Sequence, residues 1–128
     1  MNNKKGFTLI ELLAVIAVLG TLAIIAFPIV TKQITNSKEN SYKTQVNIIV
    51  NAAKRWAFDN DNDLPYTNGS SKTVSLTRIQ QDGYLTSGDV VDPRTESNMT
   101  GCIKITYDSN YKQHTYEYIN NCVTPDIS

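Results

Sequence analysis

The chain has 128 residues, with 12 basic and 12 acidic side chains and a formal net charge of zero. This length suits one domain rather than two, and the balanced charge argues against a protein built mainly to bind nucleic acid through its phosphates. The two cysteines and one histidine are too few for a clustered zinc, haem or iron–sulfur site, so we expect no metal or cofactor.

Apolar residues are concentrated near the N-terminus. Residues 12–30 contain only three residues outside the apolar set, which are Gly20, Thr21 and Pro28. As a helix, residues 7–30 would reach about 36 Å, which exceeds the roughly 30 Å of a membrane hydrocarbon core. No small-residue cleavage site follows this block, so we predict a retained transmembrane helix and not a secretory signal peptide.

Glu11 is the one charged residue within residues 7–30. A carboxylate in hydrocarbon costs roughly 3 kcal/mol or more unless it is paired or protonated. The residues alone leave two interpretations open. Glu11 lies at the membrane interface, where Lys4 and Lys5 can reach it, or it is kept for a partner within the membrane.

The segment Gly6-Phe7-Thr8-Leu9-Ile10-Glu11-Leu12 resembles the processing signature of type IV pilins and pseudopilins. The resemblance implies that a prepilin peptidase cuts after Gly6 on the cytoplasmic side and that Phe7 becomes the N-methylated first residue. It also implies that Glu11 meets the N-terminal amine of a neighbouring subunit. We therefore expect Glu11 to favour a fixed stagger between subunits of a fibre, because each buried charge compensates the other.

The helix is predicted to continue beyond the membrane to residue 58. Pro28 lacks a backbone N–H and predicts a kink, and it stands where pilins commonly have a helix-kinking proline. Ile48 stands where a second proline is common in the family.

The second half of this helix, residues 31–58, is amphipathic. Spacings of three and four residues predict one apolar face that packs against a soluble head. This face consists of Tyr42, Val46, Ile49, Ala53 and Trp56. A second set is predicted to contact other subunits, namely Ile34, Ile48, Val50 and Ala57.

An acidic loop should follow the helix. Residues 59–63 read Asp-Asn-Asp-Asn-Asp, and Pro65 closes the loop. Alternating aspartates also occur in calcium-binding loops, but Leu64 and Ser70 stand where an EF-hand requires Gly and Glu. We therefore expect a solvated loop without a metal.

A short helix is predicted over residues 74–85. Ser75 is a suitable N-cap, and Gly83 is a suitable C-terminal stop. The segment Gly83-Tyr84-Leu85 is similar to one found in many Gram-positive pilins and competence pseudopilins.

The C-terminal part is predicted to form an antiparallel hairpin. Residues 103–107 and 115–119 alternate apolar and polar side chains, and residues 108–112 can form the turn. A third strand is expected near Val90 or within residues 72–76. The predicted fold class is therefore α+β, with a long N-terminal helix against a small antiparallel sheet, as in the pilin fold.

Two cysteines flank this hairpin. Cys102 opens its first strand and Cys122 follows its second, so an antiparallel pairing brings them close. The pilin resemblance places the head outside the membrane, where a disulfide is permitted, and many pilins have a disulfide-bounded C-terminal region. We predict a Cys102–Cys122 bridge, with two reduced thiols as the alternative.

No set of catalytic residues is recognisable in the sequence. His114 is the sole histidine and lacks an obvious nucleophile partner. Removal of Lys4 and Lys5 with the leader would leave 10 basic against 12 acidic side chains, and a net charge of −2 opposes direct nucleic-acid binding. A local patch of tyrosines with three basic residues is the remaining candidate for stacking single-stranded bases: Arg94, Lys104 and Lys112.

The sequence thus predicts a leader at residues 1–6, a transmembrane and assembly segment at 7–30, an amphipathic helix at 31–58 and a globular head at 59–128. The resemblance implies a structural subunit of a type IV pilus or pseudopilus that starts as a single-pass membrane protein and ends in an extracellular fibre. Its implied partners are further copies of itself, other pilins, a prepilin peptidase, a platform protein and an assembly ATPase.

Three alternatives stay open. The chain is a major or minor pilin, for example in adhesion or twitching motility, or a pseudopilin of competence or type II secretion that serves DNA uptake or secretion. A protein of another class, a membrane-anchored extracellular binding domain that does not polymerise, would have no need of Glu11.

Overall fold

The computed structural model describes residues 6–128. Its elements in chain order are α1 (Leu9–Asp59), a 3-10 helix (Asp61–Asp63), β1 (Ser71–Ser75), α2 (Leu76–Gln81), β2 (Cys102–Asp108) and β3 (Gln113–Ile119). The predicted α+β class is confirmed, with one long apolar helix and a three-stranded antiparallel sheet. Two compact units divide the chain between Ser37 and Lys38.

The first unit is helical from Leu9 onward and buries none of its described side chains. The helix is long and apolar enough to cross a membrane, judged by its length and composition. Pro28 lies inside α1, and its carbonyl accepts a hydrogen bond from the Thr31 hydroxyl at 3.0 Å. The kink at Pro28 stays a prediction.

The second unit has a core between the end of α1 and one face of the sheet. Trp56 is fully buried at its centre, together with Ile103 and Ile105 of β2 and Val74 of β1. The predicted apolar face of α1 is confirmed, because Ile49, Ala53 and Trp56 are buried and Tyr42 and Val46 pack at the margin of this core.

The sheet has the strand order β1-β2-β3, and its register aligns the core residues in rows. Ile103 is paired with Val74 on one side and with Tyr118 on the other, and Ile105 is paired with Tyr116. Such cross-strand pairs stabilise a sheet whose apolar face lies on a helix.

One residue of the predicted subunit-contact set is misplaced. Ala57 is 1% exposed and belongs to the core of its own head. The buried face of α1 is wider than the single row read from the sequence, since Ala52 and Ala57 extend it to the i, i+3, i+4, i+7 and i+8 pattern of a globular helix. Ile34 and Ile48 are 51% and 47% exposed, as a subunit contact requires.

Residues 71–81 contain both the third strand and the short helix, whereas the sequence predicts a helix over residues 74–85. β1 runs through Ser75, and α2 begins only at Leu76. Ser75 is nevertheless the N-cap, because its hydroxyl accepts a hydrogen bond from the Arg78 N–H at 3.0 Å. Gly83 follows with a positive φ of 86°, the left-handed conformation that ends many helices.

The turn after α2 is held against α1 by polar contacts. The indole N–H of Trp56 donates to Asp82 at 2.7 Å, and Arg78 donates to the same carboxylate at 2.9 Å. Arg55 donates to the carbonyl of Tyr84 at 3.1 Å. The bond to Asp82 satisfies the buried indole that anchors the core, and the bond from Arg55 attaches the Gly83-Tyr84-Leu85 segment to α1.

A second polar contact attaches the loop after α2 to α1. Asp92 is 5% exposed and receives two side-chain bonds from Arg94, at 2.9 and 3.2 Å. The guanidinium carbon of Arg94 lies 3.4 Å from the ring centroid of Tyr42, and its Nη1 is 3.8 Å from Glu39. Hydrogen bonding from Arg94 keeps the pKa of Asp92 below its ordinary value.

A disulfide joins Cys102 and Cys122, whose Cα atoms are 5.8 Å apart. Beyond it, the C-terminal segment returns to the free side of β1. Ile127 forms a parallel bridge with Val74, and Asp126 accepts a bond from the Thr73 N–H at 2.9 Å.

Removing the disulfide should destabilise the head. The loop it closes spans 20 residues, so the double substitution Cys102→Ser, Cys122→Ser should lower the free energy of unfolding by about 3 kcal/mol. Denaturant titration of the full chain in detergent, followed through the fluorescence of its single tryptophan, measures this change. An unchanged midpoint and slope would contradict the stabilising role.

The Asp92–Arg94 contact should make head stability depend on pH. A carboxyl whose pKa is lowered on folding stabilises the fold above its ordinary pKa of 3.8, and this contribution is lost as the pH falls through the folded-state pKa. Asp92→Asn should lower stability at pH 7 by about 1–3 kcal/mol and flatten the acid side of the stability profile. Asp89→Asn, at an exposed position of the same loop, is the control. Equal acid profiles for Asp92→Asn and the unmodified chain would argue against the contact.

Candidate processing and assembly site

The N-terminal end of the described chain is non-helical and accessible. Gly6, Phe7 and Thr8 precede α1 and are not helical, and the Phe7 side chain is 87% exposed. The Gly6–Phe7 bond, the predicted cleavage position, is therefore in backbone that an enzyme can reach. Lys4 and Lys5 of the predicted leader lie outside the described residues.

Thr8 and Glu11 form a reciprocal pair of hydrogen bonds at the start of α1. The Glu11 N–H donates to the Thr8 hydroxyl at 3.2 Å, and the Thr8 N–H donates to the Glu11 carboxylate at 3.3 Å. The Thr8 carbonyl accepts the first helical bond, from Leu12 at 3.1 Å. This arrangement is a capping box, which satisfies two N-terminal amides that would otherwise lack partners.

The capping box was not anticipated in the sequence analysis, although the sequence contains its signature. A Thr followed three residues later by Glu, just before an apolar run, is the pattern of a helix start. Glu11 thus has a local structural role besides the intersubunit role implied by the pilin resemblance. Because only one of its oxygens accepts the Thr8 amide, the carboxylate keeps capacity for a further donor.

Glu11 is a single charge on an apolar surface. Among the described residues it forms no salt bridge. Large apolar side chains along the first unit are at least half exposed, including Leu9, Ile10, Leu12, Leu13, Val15, Ile16, Leu22, Ile25 and Val30. An exposed apolar surface of this extent marks a membrane or protein contact.

The candidate basic patch for single-stranded nucleic acid loses one of its members. Arg94 is committed to Asp92 and to the ring of Tyr42, so its charge is already compensated. Tyr116 and Tyr118 pack against the core. The geometry therefore removes Arg94 from this patch and gives these two tyrosines a packing role.

The acidic loop and His114 are occupied by contacts within the head. Asp59 accepts the Tyr84 hydroxyl, and Asp61 accepts the Tyr66 hydroxyl. In the part of the chain from residue 6 onward, no three His, Cys, Asp or Glu side chains come together as a metal site. His114 lies 2.7 Å from the carbonyl of Pro65, and its ring packs 5.2 Å from that of Tyr66.

Comparison with protein families identifies the N-terminal segment. Residues 1–27 match the family model described as the prokaryotic N-terminal methylation motif. The match includes the Gly6–Phe7 bond and the capping box, but it ends before the amphipathic part of α1.

Relatives extend the similarity beyond this motif. The chain is 32% identical over 83 residues to the competence protein ComGC of Bacillus subtilis and covers 76% of its length. It is 55% identical over 106 residues to a type IV major alpha-pilin of Moraxella bovis and covers 62% of that protein. It is 38% identical over 66 residues to the type IV major pilin protein PilA of Myxococcus xanthus and covers 30% of that protein. No solved structure matches.

The shares of the chain that these alignments occupy are 65% for ComGC, 83% for the Moraxella pilin and 52% for PilA. These relatives together with the motif support a membrane-anchored precursor that ends in an extracellular pilus. Since the ComGC alignment covers three quarters of that protein, with a methylation motif at the same end as the apolar helix, the chain belongs to the type IV pilin family.

Proposed function

We propose that this chain is a structural subunit of a type IV pilus or pseudopilus and not an enzyme. A prepilin peptidase cuts between Gly6 and Phe7, and the new N-terminal residue is methylated. The mature subunit leaves the membrane and joins a fibre through residues 7–30, while residues 59–128 form the outer head. The observation that carries the proposal is the exposed apolar segment at residues 7–30, which contains a single carboxylate, Glu11.

Assembly brings two charges together in a medium of low dielectric. Cleavage creates an ammonium at Phe7, and burying this ammonium alone costs several kcal/mol, as does burying the Glu11 carboxylate alone. When the two charges belong to neighbouring subunits, each compensates the other. Because only one axial offset brings them together, the pair sets the stagger of the fibre.

The geometry of Glu11 is suited to this pairing of charges between subunits. Its carboxylate is held near the N-terminal end of α1 by the Thr8 amide, and this bond leaves the other oxygen free of described partners. A neighbour's ammonium can therefore bind without breaking the capping box. Each subunit would make this same contact with the next one, so that the contact repeats along a fibre without closing into a ring.

The partners follow from the same proposal. A prepilin peptidase acts on the segment around Gly6, and a platform protein with an assembly ATPase extracts the subunit from the membrane. Further pilins join the same fibre through equivalent apolar helices. The proposed net charge of −2 after cleavage disfavours direct nucleic-acid binding by this subunit.

A competence pseudopilus is the second candidate. Its support is the 32% identity to a competence protein over 76% of that protein's length. A deletion of the gene that abolishes DNA uptake but leaves surface fibres of other composition intact would favour this candidate. Loss of surface fibres with normal DNA uptake would favour a pilus.

Processing should yield a mature chain that starts at Phe7. Mass spectrometry of the native protein is expected to show loss of residues 1–6 and one methyl group on the new N-terminal amine. A chain that keeps Met1, or that begins at another residue, would contradict the cleavage assignment.

Removing the charge of Glu11 should block assembly while leaving membrane insertion intact. Glu11→Gln keeps an oxygen for the Thr8 amide but leaves the neighbour's ammonium unpaired, so filament yield should fall at least ~100-fold. Glu39→Gln is the matched control on the same helix. The Glu39 side chain is 49% exposed and its carboxylate lies 3.8 Å from Arg94, and such an exposed ion pair contributes little to stability.

Sheared filaments are quantified by immunoblot and electron microscopy, and the membrane fraction reports insertion. Normal filaments from Glu11→Gln would contradict the proposed charge pair. Equal loss in both variants would show that the effect is not specific to Glu11.

A further inference from the structure

The bond between Gly6 and Phe7 lies just outside the first turn of α1. Helical geometry begins at Leu9, so Gly6, Phe7 and Thr8 are free of helical structure. A peptide bond inside a helix has its carbonyl engaged four residues ahead and its faces covered by neighbouring side chains. A helix that began two or three residues earlier would therefore hide the bond that must be cut.

The start of α1 is fixed by the Thr8 side chain. Its hydroxyl accepts from the Glu11 N–H at 3.2 Å, and its carbonyl accepts from the Leu12 N–H at 3.1 Å. In water, an amide at a helix start can bind solvent instead. In an apolar medium it cannot, so its partner must come from the chain itself. A helix extended upstream would supply the carbonyl four residues earlier as that partner.

The residues upstream are able to join a helix. Phe7 is compatible with helical geometry, and Gly6 disfavours it by only about 1 kcal/mol relative to Ala. The cap at Thr8 is worth a similar amount, typically about a factor of five in an equilibrium constant. The cap is therefore large enough to influence whether the Gly6–Phe7 bond is non-helical or helical.

We propose that Thr8 is a positioning residue for prepilin cleavage, because its hydroxyl sets the start of the helix at Leu9 and keeps the Gly6–Phe7 bond in accessible, non-helical backbone. This inference rests on the proposed function, since it assigns a role in the same processing step. Residues 1–27, which include Thr8 and Glu11, match the family model described as the prokaryotic N-terminal methylation motif. Thr8 acts through the backbone conformation and takes no part in the chemistry.

The test measures cleavage kinetics on the full-length precursor in detergent micelles with a prepilin peptidase. Thr8→Val keeps the shape of the side chain and removes the hydroxyl. Since only the capped conformer binds productively, its smaller population should raise KM, by up to about fivefold, with kcat unchanged. Thr8→Ser restores the hydroxyl and should return KM to within about twofold of the unmodified chain.

Thr21→Val is the matched control. The Thr21 hydroxyl donates to the Val18 carbonyl at 2.8 Å within α1 and caps nothing, so its removal should leave both constants unchanged. Backbone chemical shifts at Phe7 provide a second readout and should move toward helical values in Thr8→Val but not in Thr8→Ser.

The outcomes separate this inference from the function beneath it. An unmodified precursor that is not cut between Gly6 and Phe7 overturns the proposed function and the inference together. Normal cutting of the unmodified chain with an unchanged KM in Thr8→Val overturns the inference alone. The same holds if Thr8→Ser fails to restore KM or if the loss lies in kcat, because the hydroxyl would then not act through the helix start.

Discussion

The protein depends on an apolar surface whose exposure to water is unfavourable and which a single chain leaves exposed. The first unit exposes apolar side chains around its whole circumference, and within residues 7–30 it has one charge, at Glu11. A membrane can hold the apolar surface but not an unpaired carboxylate. A bundle of identical helices can hold both, provided that the bundle also supplies a cation at the right height.

The head is built so that this surface stays available. The last three turns of α1 bury Ile49, Ala53 and Trp56 against the sheet, and polar contacts at Asp82 and Asp92 hold the connecting loops to the helix. A core this small gains from its disulfide, because a short chain segment buries little apolar area on folding. The assembly segment and the head therefore use separate stretches of one helix, and a change in one need not disturb the other.

Sequence patterns were sufficient for elements whose signal is local and periodic. The apolar run around Glu11, the spacing of Tyr42 to Trp56 and the alternation in the hairpin predicted α1, its inward face, β2 and β3. The width of that face was not predictable from one row of residues, which is why Ala57 was assigned outward. β1 was only one of two options because its residues gain strand character from pairing with β2, a long-range contact. The capping box at Thr8 was readable from Thr-x-x-Glu, but the charge of Glu11 drew the interpretation toward a partner.

The central claim is that Glu11 is stabilised by the N-terminal amine of another copy of the chain. Electron cryomicroscopy of sheared native filaments at side-chain resolution measures this most directly. We expect the Phe7 nitrogen of one subunit to lie within about 4 Å of a Glu11 oxygen of a neighbour, the limit for an ion pair. Filaments in which Glu11 faces only apolar side chains, or meets only the amine of its own chain, would contradict it.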